Sequence, residues 1–446
     1  MNSDFLILMK SEWSLIFIIF LLLFLKVWDG IKNNETILHL TNILLLLNFL
    51  FGFFFNEEGE LFSGMFFTNE AIAFEKNILN FGTLIISLQS FDWLKTHKHL
   101  LEFYILLLCT LLGMYFMLSA GNFLVFYLGM ELASIPLAAL VNFDLEKRKS
   151  SEAAIKMILS SAFASGIMLF GISMLYGTTG SLSFSQLTDL ISDSPLQLLS
   201  LIFIFSGFAF KLSAVPFHFW TADVYEGAPI SVTAYLSVIS KAAIVFVFIS
   251  ILGPLFTTVS EIWYIILLLS IVLTISIGNL FAIRQNNLKR FMAFSSIAQV
   301  GYILLGLTSD NKTGIVASVY FLIVYVFSNL GVFGVISLVS SQTGKETIED
   351  YKGFYKTNPV LSWALTISLF SLAGIPPTAG FFGKMFLVTA GASNGNYLLI
   401  AFAALNMVIS LYYYLRVVKA IFIDENENPL PKINGSVSVK LGLIVC

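Results

Sequence analysis

The chain has 446 residues, of which 57% are hydrophobic and only 11% are charged, and its mean hydropathy is +0.88. Soluble domains carry about a quarter charged residues, so this composition excludes a globular protein with an ordinary water-facing surface. The net charge of −3 argues against nucleic acid and against an acidic substrate as partners.

Cofactor signatures are weak throughout the chain. The two cysteines are too few for a metal or cluster site, the four histidines are scattered, and no G-x-G-x-x-G stretch follows a strand. Lys26 rather than a small-residue cleavage site follows the first apolar run, which favours a retained first helix over a signal peptide. The sequence therefore predicts that any redox chemistry belongs to partner subunits.

Apolar windows of the length that crosses a bilayer, about 20 residues, recur along the whole chain. They predict spans at residues 12–28, 37–55, 71–90, 100–119, 121–143, 152–177, 198–219, 229–252, 260–282, 288–308, 313–340, 360–392 and 395–422. A further run, 436–446, is too short to span and is expected to be the start of a fourteenth helix. The chain is thus predicted to be an all-α integral membrane protein of 13–14 transmembrane helices.

Basic residues are distributed unequally over the connecting loops, which orients the chain. One set of alternate loops has Lys26, Lys32, Lys95, Lys98, Lys147, Arg148, Lys149, Lys156, Arg284, Lys289, Arg290, Lys345, Lys352, Lys356, Arg416, Lys419, Lys432 and Lys440. The opposite set has only Lys10, Lys76 and Lys312. We therefore expect an N-terminus outside the cytoplasm.

Three lysines remain, and all of them lie inside apolar runs: Lys211, Lys241 and Lys384. Glu131 is the carboxylate nearest the middle of a span. A charge at the bilayer centre costs about 3 kcal/mol on insertion scales, so such residues are functional candidates by default. The alternative is that each is a paired structural residue. Glu131 and Lys211 form the natural pair, and a carboxylate that approaches or retreats would change how readily the lysine holds its proton.

Two of these lysines lie near helix breakers. Lys211 precedes Pro216 and Lys384 follows Pro377, in the seventh and twelfth predicted spans. Proline removes a backbone donor, and broken helices that carry charge near mid-membrane are typical of inverted-repeat transporters. A plain proline kink is the alternative. Since the two broken spans are five apart, the sequence predicts two inverted five-helix repeats, spans four to eight and nine to thirteen.

Four other polar residues give weaker signals. His218, at the end of the seventh span, could transfer protons or merely cap the break. Gln299 in the tenth span could hydrogen-bond water, although helix packing is the commoner role. Asp223 and Glu226 are expected in a loop before the eighth span, with a lesser chance that they serve a proton entrance.

Several stretches resemble one membrane protein family. These are residues 151–157 (SEAAIKM), 217–229 (FHFWTADVYEGAP), 278–290 (GNLFAIRQNNLKR), 295–302 (SSIAQVGY) and 371–384 (SLAGIPPTAGFFGK). They resemble the antiporter-like subunits of NADH:quinone oxidoreductase, respiratory complex I, over residues 123–422. The VYEGAP form of the second stretch is similar to the N subunits rather than to the L and M subunits or the Mrp antiporters.

The resemblance implies a fourteen-helix fold and a role for each buried charge. Glu131 matches the glutamate of the fifth helix, Lys211 its lysine partner, Lys241 the central lysine and Lys384 the terminal lysine. There are departures: Gln299 stands where the family often has histidine, and Ala222 replaces a usual proline. Glutamine can orient water but cannot carry a proton, and Gln299 and His218 are candidate relay positions.

The function expected on this resemblance is proton translocation coupled to quinone reduction in partner subunits. FMN, iron–sulfur clusters and quinone are assigned to those partners, and the expected neighbours are the M, K, J and A-type membrane subunits. Two alternatives stay open: a subunit of a cation/proton antiporter or hydrogenase-linked complex, and a non-pumping scaffold. The expected location is the bacterial inner membrane.

The predicted domains follow the spans. Residues 1–99 hold helices one to three, 100–252 the first repeat, 260–422 the second repeat, and 423–446 a loop and the start of the fourteenth helix.

Overall fold

The computed structural model describes residues 3–28, 33–54, 56–256, 260–309, 312–392 and 395–446. Lys32, one of the basic residues used to orient the chain, lies outside these ranges. The helices of the first half are α1 Ser3–Leu8, α2 Lys10–Trp28, α3 Asn34–Phe51, α4 Glu70–Gln89, α5 Phe91–Leu94, α6 Leu100–Leu118, α7 Phe123–Val141, α8 Arg148–Thr179, α9 Phe184–Leu190, α10 Pro195–Leu212 and α11 Phe219–Gly227.

The eighth span is one continuous helical stretch with two wide turns. It consists of α12 Ile230–Ala234, a π-helical turn Tyr235–Ser240, α13 Lys241–Val247, a second π-helical turn Phe248–Leu252 and α14 Gly253–Phe256. The remaining helices are α15 Ser260–Ile283, α16 Leu288–Gly306, α17 Lys312–Thr343, a 3₁₀ turn Ile348–Tyr351, α18 Phe354–Thr357, α19 Pro359–Ala373, α20 Ala379–Ala392, α21 Tyr397–Phe422 and α22 Val437–Ile444.

The predicted all-α membrane fold is confirmed, and every predicted span has a helix in its place. Within the described residues, eleven helical stretches are long and apolar enough to cross a membrane. The other two predicted spans correspond to α16 and to the shorter apolar pair α19 and α20. The inverted relation and the boundaries of the two five-helix repeats stay predictions.

Both predicted interruptions are present. In the seventh span α10 ends at Leu212, and the chain turns through Ser213 at φ 63° before α11 begins. In the twelfth span α19 ends at Ala373 and Gly374 takes the left-handed conformation, φ 81°, that glycine adopts without strain. The prolines that follow in each break have no backbone N–H to continue the helix.

The chain divides into two compact units. The first comprises residues 1–87, 93–208 and 239–259. Its centre is the close packing of α6 on α7, which requires glycine, because a Cβ on Gly113 would lie 2.4 Å from the backbone nitrogen of Ala133. An antiparallel hairpin, β1 Gly59–Leu61 and β2 Phe66–Thr68, also belongs to this unit and was not predicted from the sequence.

The second unit comprises residues 88–92, 209–238 and 260–446. Its tightest pair is α15 on α16, where a Cβ on Gly278 would lie 2.6 Å from the backbone nitrogen of Ala298. The long helix α17 packs on both halves of the broken span, α19 and α20, and α16 packs on α11 and α20. The second unit therefore surrounds its broken helix with continuous ones.

Candidate functional site

Glu131 lies in the middle of α7, a 19-residue helix of the first unit. The helix begins at the cap residue Asn122, whose side chain accepts a hydrogen bond of 2.8 Å from the backbone N–H of Val125. Glu131 Oε1 is buried and has no hydrogen-bond partner among the described residues. A carboxylate oxygen in this setting is costly unless a proton or a cation satisfies it.

Lys211 lies in the last turn of α10, at the edge of the first break. Its side chain is half-buried, and the carbonyl of the preceding Phe210 accepts a 3.1 Å hydrogen bond from Trp220 Nε1 of α11. A cation in the last turn of a helix is favoured by the helix dipole. Lys211 and Glu131 belong to different compact units, and their pairing stays a prediction.

Lys241 is the first residue of α13 and directly follows a π-helical turn. Only 1% of its surface is exposed, and most of its neighbours along the helix, such as Ile239 and Ala242, are buried apolar side chains. π-helical turns are rare and occur mainly at functional sites. The predicted burial of Lys241 inside its span is confirmed.

Lys384 lies on α20 and is 3% exposed. Its Nζ donates a 3.2 Å hydrogen bond to the carbonyl of Ala373, the last residue of α19, across the break. The same Nζ lies 5.0 Å from the ring centroid of Tyr302, a cation–π distance. The ammonium thus neutralises the negative end of the half-helix α19, whose last carbonyls have no following helical turn to donate hydrogen bonds to them.

Gln299 binds the neighbouring carbonyl of the same half-helix. It is fully buried on α16, and its Nε2 donates 3.0 Å hydrogen bonds to the carbonyl of Leu372 and to the hydroxyl of Tyr414. Ser295, one turn earlier, lies 2.5 Å from the same hydroxyl. The structure therefore brings Gln299 and Lys384 to adjacent backbone carbonyls, a relation that the sequence did not predict.

A second polar group of the same unit was also missed. The Tyr413 hydroxyl donates a 3.0 Å hydrogen bond to Asn279 Oδ1, and Asn279 Nδ2 donates at 3.1 Å to Asn406 Oδ1. All three residues are 5% exposed or less. The signal available in the sequence was an asparagine inside each of two mainly apolar spans.

His218 stands directly before α11 and is 7% exposed. Its side chain makes no capping hydrogen bond to that helix, and its ring packs at 4.4 Å on the ring of Phe219. The same side chain has a hydrogen-bonding interaction with the backbone of Pro216 inside the break, so capping the break also stays a prediction. Proton transfer at His218 stays a prediction.

The prediction that Asp223 and Glu226 lie in a loop is wrong. Both lie on α11, where Arg290 of α16 contacts them at 2.7 Å and 3.0 Å. The neighbouring Lys289 donates a 3.1 Å hydrogen bond to the carbonyl of Ala228, just beyond α11. The stretch between Pro216 and the eighth span is long enough for two turns of helix, and its charges are neutralised by α16.

The first unit also contains an ion pair that was not predicted from the sequence. Lys76, which was assigned to a loop, lies inside α4 and contacts Glu12 of α2 at 2.6 Å between Nζ and Oε1. The two side chains are 3% and 0% exposed. A charge a few residues inside a predicted span is indistinguishable in sequence from one that reaches the surface, because long side chains can extend toward water.

Comparison with protein-family models identifies the class of membrane protein to which the chain belongs. The model of the family described as NADH:quinone oxidoreductase/Mrp antiporter, transmembrane, matches residues 120–410. The matched segment holds all four charged residues proposed from the sequence and both broken spans. The chain belongs to this family of transmembrane proteins.

Two individual relatives are both N subunits of NADH-quinone oxidoreductase. The chain is 50% identical over 442 residues to the NADH-quinone oxidoreductase subunit N of Phocaeicola vulgatus, covering 98% of this chain and 93% of that relative. It is 38% identical over 391 residues to the subunit N of Desulforamulus reducens, covering 86% and 82%. The resemblance to the N subunits seen in the sequence is confirmed.

Solved structures agree with the fold. A chain of respiratory complex I from Thermus thermophilus with bound aureothin is similar with a TM-score of 0.82 and 27% identity, covering 98% of this chain and 94% of that one. A chain of the membrane-bound sulfane sulfur reductase, an archaeal respiratory membrane complex, has a TM-score of 0.85 at 24% identity, covering 100% and 93%. The second likeness is evidence for the fold alone.

Proposed function

We propose that the chain is a proton-translocating membrane-arm subunit of NADH:quinone oxidoreductase. The observation that carries the proposal is Lys384, an ammonium buried in an apolar span and bound across a helix break to the carbonyl of Ala373. Family membership supports the same function, as do the curated relatives named subunit N at 50% and 38% identity. The family contributes the class of activity, and the buried lysines supply groups able to carry it.

The proposed route begins at Glu131 and Lys211. Quinone reduction in partner subunits changes the distance between this carboxylate and this ammonium, and so changes how tightly Lys211 holds its proton. The proton then passes through water to Lys241 and on to Lys384. Each lysine exchanges one proton and returns to its starting state, so the chain itself neither oxidises nor reduces anything.

The surroundings of Lys384 support its place at the end of the route. Its ammonium bonds to one backbone carbonyl and lies on the face of Tyr302, and Gln299 holds the next carbonyl at 3.0 Å. These contacts fix the position of the ammonium, and no carboxylate among the described residues pairs with it. Gln299 can orient water in the route but cannot itself carry a proton.

The partners follow from the same proposal. FMN and iron–sulfur clusters would belong to other subunits of the complex, quinone would bind outside this chain, and the neighbours would be the M, K, J and A-type membrane subunits. The location would be the bacterial inner membrane, with the N-terminus outside the cytoplasm. Copurification tests this directly: subunits that carry flavin and iron–sulfur clusters support it, whereas Mrp-type membrane proteins alone would contradict it.

Pumping by inverted membrane vesicles tests the route itself. Lys241→Ala should lower the initial rate of NADH-driven acidification at least about tenfold, because the central proton acceptor is lost. Lys312→Ala is the matched control, since Lys312 is an exposed lysine at the start of α17. Normal pumping by assembled Lys241→Ala complex would remove Lys241 from the route and favour a scaffold role.

A further inference from the structure

A buried polar face runs along α4 in the first unit, outside the region that holds the proposed route. Lys76, Asn80, Thr83 and Ser87 follow one another at intervals of four, three and four residues, which places them on one side of the helix. Each is 2% exposed or less. At 1.5 Å per residue the face extends about 16 Å, roughly half the thickness of a hydrocarbon core.

One end of this face is the ion pair between Lys76 of α4 and Glu12 of α2. Nζ and Oε1 are 2.6 Å apart, and the ammonium also lies 5.2 Å from the ring centroid of Phe66. A buried pair of this kind resists separation, because removing either charge leaves the other unpaired at a cost of several kcal/mol.

The other end joins three helices through hydroxyl groups. Ser87 Oγ donates a 2.5 Å hydrogen bond to Asn42 Oδ1 of α3, and it lies 2.7 Å from the hydroxyl of Tyr104 on α6. Between the two ends, Asn80 Nδ2 donates to the carbonyl of Leu45 at 3.2 Å. Polar contacts therefore link α4 to α2, α3 and α6 at successive levels.

Three atoms at these levels lack a hydrogen-bond partner among the described residues although they are buried. They are Glu12 Oε2, Asn80 Oδ1 and Asn42 Nδ2. In an apolar setting each costs a few kcal/mol unless a small polar molecule satisfies it, and water is the molecule that does so in protein interiors. One such atom lies at each end of the face and one between them.

We propose that this face, which we call the α4 column, is a second proton-transfer route that the Glu12–Lys76 ion pair closes. A proton enters at the Tyr104 and Ser87 hydroxyls, passes along the column through water held by Asn80, and leaves through water that takes the place of the ion pair once that pair is separated. Every group gives up one proton for each one that it accepts. The route therefore conducts only when the Glu12–Lys76 pair is broken.

The proposal goes beyond the proposed function and needs only that the chain lies in a membrane. The competing explanation is that these side chains merely join helices, as polar groups in membrane bundles commonly do. The two explanations differ in passive proton conductance. A structural column conducts nothing whatever its charges, whereas a closed route conducts once the ion pair is removed.

The test uses the assembled complex in proteoliposomes without NADH, with a potassium diffusion potential and an internal pH dye. Glu12→Gln combined with Lys76→Gln keeps polar side chains but removes both charges. This double variant should raise passive proton influx at least about tenfold over the wild type. Because no NADH is present, the result does not depend on the Lys241 experiment, and either proposal can fail without the other.

Two threonines supply a matched pair of variants for the second step of this test. Thr83 lies on the α4 column and Thr110 lies on α6, six residues from Tyr104 and so about 120° around that helix. Both are 0% exposed, and both hydroxyls donate to the carbonyl four residues earlier, at 2.8 Å and 2.9 Å. Added to the double variant, Thr83→Val should return the influx toward the wild-type rate and Thr110→Val should leave it high.

Glu12→Asp is a second test variant, for the case that the double variant does not assemble. It keeps the charge but shortens the side chain by one methylene, so the ion pair loosens and influx should rise about threefold, again cancelled by Thr83→Val. Assembly is scored by NADH oxidation with a soluble electron acceptor. Wild-type influx in an assembled variant of either kind, or equal effects of the two threonine changes, would overturn the proposal.

Discussion

Each of the two helix breaks in the second unit has a lysine at the end of a half-helix, but the lysine belongs to a different half of the span in each break. In the first, Lys211 belongs to the half-helix that ends, because it lies in the last turn of α10. In the second, Lys384 belongs to the half-helix that begins, and it reaches back from α20 to the carbonyl of Ala373, the last residue of α19. Each lysine nevertheless lies at the carboxyl end of the first half-helix of its span.

Because of this difference, the two breaks do not align with each other residue by residue in the sequence. What the two breaks share is a cation at the negative end of a short helix, and a side chain on either half can supply it. A lysine can reach this point from within the last turn, or from one and a half turns into the next helix if the connecting turn doubles back. Equivalent positions in space therefore need not be equivalent positions in sequence.

The largest expected effect comes from removing the ammonium at the second break. Lys384→Met should lower NADH-driven pumping at least about tenfold and leave the Ala373 carbonyl without a donor, at a cost of about 1–3 kcal/mol. Lys211→Met should have an effect of the same order if the two breaks are equivalent, and Lys312→Met should have none. If pumping is lost in one of these two lysine variants and normal in the other, the two breaks are not equivalent.

A smaller effect is expected from removing the donor to the Leu372 carbonyl, which is one residue before the carbonyl that Lys384 binds. Gln299→Leu removes the hydrogen bonds to the Leu372 carbonyl and to Tyr414, so pumping should fall about threefold to tenfold. Ser295→Ala removes only the contact with the Tyr414 hydroxyl and should cost less. Initial pumping rates per assembled complex decide the order, and a Ser295→Ala variant slower than Gln299→Leu would show that the carbonyl contact is unimportant.

The smallest effect concerns the glycine that ends α19. Gly374→Ala introduces a side chain at φ 81°, a strain of about 1–2 kcal/mol, and its Cβ would lie 3.0 Å from Lys384 Cδ. Gly344→Ala carries the same backbone strain, φ 69°, with no atom within 4 Å of the added Cβ. Both should lower the unfolding temperature of the complex slightly, and only Gly374→Ala should slow pumping, by about fivefold or less. Equal pumping by the two variants would show that Lys384 tolerates displacement.

The sequence predicted those features that depend on one stretch of chain at a time. The length of an apolar run decides whether it can span, so the predicted spans match helices, and the prolines mark both breaks. Lys241 and Lys384 were predicted to be buried because the residues on either side of each are mainly apolar. These are local properties, and local properties can be read from one sequence.

Features that depend on which helices touch were missed. Lys76 lies one and a half turns inside its span, and only the approach of Glu12 shows that it does not extend to the surface. Asp223 and Glu226 could be assigned to a helix only once Arg290 on α16 was seen to neutralise them. The binding of Gln299 and Lys384 to neighbouring carbonyls likewise depends on how α16, α19 and α20 pack.

The π-helical turns on either side of α13 have a mechanical consequence. Each hydrogen bond within residues 235–240 and 248–252 spans one residue more than in an α-helix. The seven residues Lys241–Val247 between these turns are therefore rotated about the helix axis relative to the helix on either side. Moving the first wide turn by one position, past Lys241, exchanges i→i+5 for i→i+4 bonds without reducing their number, and it would turn that one residue by about 100° about the helix axis. A shift of this kind would redirect one buried ammonium while the rest of the eighth helix keeps its place.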